Sequence, residues 1–249
     1  MYLRSSSGSF SSSSSPDSLS VANAVSSGMP SDMAAAGNAS PRSSYLSKRL
    51  LDIVVSGLMI LVFTPHLLFI ALVIRLRTGG PSIYAHRRIG LDGQVFPCLK
   101  FRTMVPNADG ALAALLKQSE DARMQWATHR KLDNDPRIIP GIGQILRRTS
   151  LDELPQLLNV LRGEMSLVGP RPVTQEELLA HYQHHRTVYQ SVRPGLTGLW
   201  QISGRSNTSY RARVDMDCWY ACNASLSLDL YILWRTTTYF LSGRLDGAQ

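Results

Sequence analysis

The apolar pattern of this chain begins abruptly. Residues 1–44 are rich in serine, with scattered alanine, glycine and proline, and Ser11 to Ser15 run consecutively. No apolar periodicity is present there to offset the entropy of ordering, so a disordered tail is expected. It also lacks the apolar stretch after a basic start that marks a secretory signal peptide. From Ile53 to Ile74 there is then no Asp, Glu, Lys or Arg. As a straight helix this run would reach about 33 Å, enough to cross the hydrocarbon core of a bilayer. Two features modify that picture. Thr64-Pro65-His66 falls in the middle, where proline removes a backbone donor and crowds the preceding turn. Lys48 and Arg49 precede the run and Arg75 and Arg77 follow it, so the one-sided cationic bias of a spanning helix is missing. The expectation is a re-entrant membrane helix over residues 45–78 that enters, breaks at Pro65 and returns on the same side. Thr64 or Ser56 would satisfy the opened backbone. The competing reading is a spanning helix kinked at the proline.

Beyond residue 78 the periods are shorter. Ile83–Arg88 and Val95–Thr103 read as two strands joined by Gly90-Leu91-Asp92-Gly93, with Asp-Gly the strongest turn cue. On the second strand Cys98, Lys100 and Arg102 share one face, opposite Leu99, Phe101 and Thr103. That makes either a phosphate-facing wall or an ordinary half-exposed strand. Asp109 to Lys131 carries helical spacing, which Asn134-Asp135-Pro136 ends. Ile142, Ile145 and Leu146 share a helical face followed by Arg147 and Arg148, which suits a helix on an anionic membrane surface or one packed on the core. Thr174 and Glu177 form a capping-box pattern opening a helix through Leu178, Leu179 and Tyr182. Residues 226–241 are rich in Leu, Tyr, Trp and Ile. With Trp219 they suit either a core or the headgroup layer. The fold class expected is α+β and mainly helical: the membrane helix, then a catalytic domain over residues 79–249 with surface amphipathic helices and a small β-hairpin.

Composition adds a sign to this outline. The 249 residues carry a formal net charge of +8, and lysine occurs only at Lys48, Lys100, Lys117 and Lys131. Arginine therefore dominates, and its planar fork suits two-pronged contact with phosphate. The excess points to anionic partners: phosphorylated ligands, anionic lipid or nucleic acid. No zinc-finger spacing, aromatic RNA-binding motif or basic helix supports the last. Three cysteines, Cys98, Cys218 and Cys222, make no disulfide framework and no zinc site. Buried thiols in a reducing compartment are expected, which puts the catalytic part in the cytoplasm.

The chemistry concentrates at Arg147-Arg148-Thr149-Ser150-Leu151-Asp152-Glu153-Leu154-Pro155-Gln156, running into the apolar residues 157–161. Pro155 marks a helix start. Either Asp152 is the N-cap, with Pro155 in the first turn, or Ser150 is, with Glu153 completing a capping box. In both cases two adjacent carboxylates meet a helix N-terminus, whose dipole favours their ionised forms. An ionised Asp152 is a competent nucleophile, and the Asp152–Glu153 pair could share a hard cation such as magnesium. The same residues are also ordinary first-turn capping chemistry. Gly169-Pro170-Arg171-Pro172 holds Arg171 between two prolines, preorganising a cation of the kind a transferring phosphoryl group needs. Arg193 and Arg205 add turn-borne cations beside Gly195, Gly198 and Gly204.

Four stretches together resemble the bacterial sugar transferase family, the monotopic polyprenyl-phosphate phosphoglycosyl transferases: Lys100-Phe101-Arg102-Thr103-Met104, Ser150–Gln156, Ser166–Pro172 and Arg193–Gln201. The resemblance runs from about Lys48 to about Ser242 and implies several things. The proline break would match Pro65, with Thr64 before it where serine is frequent. Asp152 would attack the β-phosphate of a UDP-sugar, UMP would leave, and undecaprenyl phosphate would take the sugar phosphate from Asp152. Glu153 would be the partner acid assisting Mg2+ or the acceptor. Lys100, Arg102, Arg147 and Arg171 would bind phosphates. Arg88 and Arg205 join them as candidates from the His86–Gly90 and Leu199–Arg205 stretches, which are similar to those of exopolysaccharide undecaprenyl-phosphate galactose and glucose phosphotransferases. Galactose 1-phosphate is the favoured cargo and glucose 1-phosphate the next. The implied location is the cytoplasmic face of the bacterial inner membrane, with the bilayer and downstream glycosyltransferases as partners and no nucleic acid. The alternative is a non-catalytic membrane adaptor that binds anionic lipid or a partner enzyme.

Overall fold

The structure, a computed structural model, describes residues 41–129, 132, 135–203 and 209–241. The expected disordered tail therefore lies outside the described residues except at its end, where helix α1 (Pro41–Thr78) already begins. α1 is long and apolar enough to cross a membrane, as the composition of Ile53–Ile74 demanded. Leu58, Leu61, Val62, Leu68, Phe69 and Leu72 are each more than half exposed, a contiguous apolar surface that water would not favour.

The interruption expected at Pro65 is absent: α1 runs helical through the proline. A proline deletes one hydrogen bond, and here tertiary anchors lie on both sides of the gap. On one side, Lys48 Nζ bonds Asp229 Oδ2 at 2.7 Å and the Val168 carbonyl at 3.0 Å. Arg49 donates to the carbonyls of Val160 and Leu161, and buried Asp52 accepts from the Leu167 amide at 2.9 Å. On the other side Ile70 and Ile74 are buried with Phe101, Ile139 and Leu146. Thr64 Oγ1 donates to the Ile60 carbonyl at 2.6 Å and so holds the turn before Pro65. Ser56, the other expected partner, is buried with its hydroxyl unbonded.

Strands β1 (Ile83–Ile89) and β2 (Val95–Phe101) form the expected antiparallel hairpin, with Tyr84 opposite Lys100 and His86 opposite Cys98. Asp92 and Gly93 both take positive φ (54° and 75°), as the Asp-Gly cue requires. The single helix expected over 109–131 is two, α2 (Ala108–Gln118) and α3 (Glu120–His129), parted at Ser119, whose extended backbone ends the first. Helix α4 (Ile142–Thr149) buries Leu146 in the core and leaves Ile145 exposed, so its apolar face divides between the two readings.

Helix α5 (Gln156–Arg162) leads into β3 (Ser166–Val168). β3 pairs in parallel with β4 (Gly195–Thr197), a sheet too short for any periodicity to announce. The backbones meet so closely that a Cβ on Gly169 or Gly195 would overlap the facing chain. The capping box is present in full: Thr174 Oγ1 accepts from the Glu177 amide and Glu177 Oε2 from the Thr174 amide. It opens α6 (Gln175–Glu177), and the chain stays helical, in a wider π-helical form, through Leu178–Tyr182 as expected, before α7 (Arg186–Gln190). Helices α8 (Leu199–Ile202), α9 (Tyr210–Asn223) and α10 (Leu226–Leu241) complete the body. Cys98 is buried as expected, but Cys222 is exposed; all three thiols are free.

Candidate active site

The site is built where α4 ends. Ser150 takes a left-handed backbone (φ 56°) and its amide bonds the Arg147 carbonyl, closing α4 and turning the chain within one residue. Leu151–Glu153 then forms a single 3-10 turn before α5. Asp152 is therefore not an N-cap. It sits inside the turn, and Pro155 takes the position ahead of α5, where its missing donor costs nothing. The tight reversal at Ser150 leaves no extended residue for a capping side chain.

β2 delivers a cation to this turn. Asn159, fully buried on α5, reads the strand edge as a peptide would: its Oδ1 accepts from the Leu99 amide at 3.0 Å and its Nδ2 donates to the Pro97 carbonyl at 2.8 Å. With β2 locked to α5, Lys100 Nζ reaches Glu153 Oε1 at 2.5 Å. Burial alone would depress the Lys100 pKa, but Glu153 beside it outweighs this and the net shift is upward. Among the described residues Asp152 makes no ion pair, and its carboxyl bonds its own backbone amide. Burial pushes its carboxyl up to about 6, and the negative Glu153 adds to that, against Lys100 and Arg147. The dipole effect expected from sequence is thus overridden by desolvation.

Of the remaining candidates, Arg147 is brought to Asp152: it acts on that carboxyl, and its Nε donates to Thr103 Oγ1 at 3.0 Å. Arg102 extends the hairpin ladder through its amide to the Ser82 carbonyl, and its buried Nε has no partner. Arg148 is exposed. Arg88 lies on the same hairpin face as Lys100 but is held at 2.7 Å by Glu177, the capping-box acid. Arg193 Nε donates to the Gly163 carbonyl at 2.6 Å. Arg171 makes its contacts in another cluster, its guanidinium 5.7 Å from the centre of the Trp200 ring, which Arg213 also approaches at 5.0 Å. Arg205 lies outside the described residues.

Three features were missed from sequence. The prolines are not alone in fixing Arg171: the Tyr189 hydroxyl lies 3.0 Å from its carbonyl, and Asp217 accepts from its backbone. Asp217 is almost wholly buried, bonded by the Tyr182 hydroxyl at 2.7 Å, and burial pushes its carboxyl up to about 7. Its place between Val214 and Cys218 on one helical face was the available signal. The third is a mainly apolar cavity of about 380 Å³ beside the Leu151–Glu153 turn, walled by Phe63, Pro65, His66, Phe69 and Ile70 of α1 and by Leu151 and Leu154.

No cluster of three or more potential metal-ligating side chains exists among the described residues. Magnesium commonly takes only one or two carboxylates and completes its shell with water and substrate phosphate, so the adjacent Asp152 and Glu153 are the residues that would hold it, with Glu153 shared with Lys100.

Residues 43–243 match the family described as bacterial sugar transferase. The chain is 46% identical over 211 residues to the undecaprenyl-phosphate galactose phosphotransferase of Salmonella typhimurium, covering 85% of this chain and 43% of that protein. It is 48% identical over 191 residues to the exopolysaccharide production protein ExoY of Rhizobium meliloti, covering 77% and 84%. Against the UDP-glucose:undecaprenyl-phosphate glucose-1-phosphate transferase of Caulobacter vibrioides it is 40% identical over 205 residues, covering 79% and 70%. The chain thus spans less than half of the Salmonella protein and most of the Rhizobium one.

Proposed function

Because the chain belongs to the bacterial sugar transferase family, we propose that it transfers a hexose 1-phosphate from a UDP-sugar to undecaprenyl phosphate, using Asp152 as a covalent nucleophile. One observation carries the assignment of roles. Lys100 engages Glu153 and leaves Asp152, its neighbour, without an ion pair among the described residues.

The reaction divides into two displacements. An Asp152 carboxylate oxygen attacks the β-phosphorus of the UDP-sugar. The bond from that phosphorus to the bridging oxygen breaks, and UMP leaves with the electron pair. A phosphate oxygen of the acceptor then attacks the same phosphorus, the bond to Asp152 breaks, and the carboxylate is restored. The product is a polyprenyl diphosphate sugar. Lys100 and Arg147, which act on Asp152, and Arg102 from the same hairpin would offer positive charge to the oxygens that gain it. The bound state of Arg171, stacked at Trp200 and fixed by Asp217, suits an arginine aligned before the donor arrives. Magnesium held by Asp152 and Glu153 would neutralise diphosphate charge. Chelation should then stop turnover, and full activity without divalent cation would exclude that role.

The two anchored ends of α1 support a membrane segment whose flanks lie on one side, facing the cytoplasm at the inner membrane. Lys48, Arg49 and Asp52 bond the same folded body that buries Ile70 and Ile74. The functions of the relatives favour galactose 1-phosphate, with glucose 1-phosphate next, and an early membrane step of exopolysaccharide synthesis that feeds later glycosyltransferases. The deciding experiment offers the membrane fraction a panel of UDP-sugars and measures UMP release. Release from none of them would reject the proposal.

A further inference from the structure

The cavity beside the Leu151–Glu153 turn has no place in the chemistry of the phosphates, and its lining is poorly suited to a sugar. Its walls are Phe63, Pro65, His66, Phe69 and Ile70 on one side and Leu151 and Leu154 on the other, so a hexose placed there would meet a single imidazole and lose most of its hydrogen bonds to water. We propose that this cavity seats the phosphate-proximal isoprene units of the acceptor lipid. The inference rests on the reaction proposed above and locates one of its substrates.

Three observations choose this occupant. First, Leu151 and Leu154 immediately flank Asp152 and Glu153, so the cavity and the carboxylates share one turn. A chain lying in the cavity brings its head group to the turn that carries Asp152. Second, the opposite wall is α1, whose outward side, at Leu68 and Leu72, is exposed and apolar. A lipid can therefore pass from the bilayer into the cavity without crossing a polar surface. Third, the polarity is ordered along the path: apolar walls first, then Lys100 and Arg147 acting on Asp152. That order matches a molecule with an apolar tail and an anionic head, and does not match a nucleotide sugar, which is polar throughout. Pro65 belongs to the wall itself, which gives the proline a role although it does not interrupt α1.

The test compares two acceptors with one working donor: undecaprenyl phosphate and methyl phosphate, which carries no isoprene unit. In wild type the ratio of kcat/KM for the long acceptor over the short one should be large. Phe69→Ser removes cavity wall and should lower that ratio about tenfold, the effect of losing one well-packed apolar contact with the chain. Leu72→Ser, on the outward side of the same helix, should leave the ratio as it is. Equal falls in both variants would assign the effect to membrane seating and overturn the proposal, as would an unchanged ratio in Phe69→Ser. Photolabelling of the wild-type protein removes dependence on either variant. A prenyl phosphate with a diazirine on its first isoprene unit should mark residues 63–70 or 151–154, with undecaprenyl phosphate competing and phosphatidylethanolamine not. Labels elsewhere, or equal competition by the phospholipid, would overturn it. Failure of the underlying reaction is seen separately, as absence of UMP release from every donor before any acceptor is added.

Discussion

Lys100 Nζ stands 2.5 Å from Glu153 Oε1, and that one contact sets two adjacent carboxylates in different surroundings. Replacing the lysine by methionine should disturb both. Glu153 would lose its partner, and Asp152 would lose the nearest charge opposing its upward shift. Lys100→Met is expected to lower UMP release about 100-fold and to move the acid limb of the pH profile to higher pH. A limb that stays in place would show that Lys100 does not act on Asp152.

The wild-type profile itself carries a prediction. Asp152 must be ionised to act as the proposed nucleophile, and burial pushes its carboxyl up to about 6. Activity should therefore be present above pH 6 and fall as pH drops through that value in the free enzyme. Asp152→Asn should abolish turnover and leave no protein-bound sugar phosphate after quenching, with membrane association retained.

Asp217 makes a stability prediction of opposite flavour. Its carboxyl titrates near 7 when folded, against 3.8 for an unburied aspartate. Between those values the folded chain holds more protons than the unfolded one, so stability falls as pH rises from about 4 to 7. Asp217→Asn keeps an acceptor for the Tyr182 hydroxyl and should remove up to about 4 kcal/mol of that pH dependence. Denaturant titrations of both proteins in detergent at pH 5 and pH 8 measure the difference.

Asn159 fastens β2 to α5 through two bonds, to Leu99 and Pro97, and a third ties it to Glu164 just beyond the helix. Asn159→Ala should cost about 2–4 kcal/mol by leaving strand-edge groups buried and unbonded. It should also lower activity, since Lys100 would no longer be aimed at Glu153. The urea midpoint and the rate of UMP release report the two effects.

Single cysteines at Leu46 and Leu76, both well exposed, test the topology in a background lacking the native thiols. Both should react with an impermeant maleimide only when the cytoplasmic face is open. Labelling from opposite faces would establish a spanning helix.

The parts legible from sequence were those with a strong local signature. The charge-free run gave α1, Asp-Gly gave the hairpin, and Thr174 with Glu177 gave a capping box present in both bonds. The acidic pair and its basic neighbours were also visible, because four motifs in order carried the family resemblance. What stayed hidden depended on contacts between distant segments. Nothing local shows that Lys100 chooses Glu153, that Asp217 braces Arg171, or that α1 closes a cavity over Leu151 and Leu154. The protonation of Asp152 was misjudged for the same reason. A dipole can be read from position in a helix, whereas desolvation depends on what else folds over the group.

The anchors along α1 bear on how this protein could be handled. Lys48 neutralises Asp229, Asp52 caps the start of β3, and Ile74 fills the interior. Deleting α1 to obtain a water-soluble fragment would strand a buried acid and open the core. Membrane attachment and catalysis are therefore parts of one cooperative folding unit, and a trimmed, lipid-free enzyme should not survive as a folded protein.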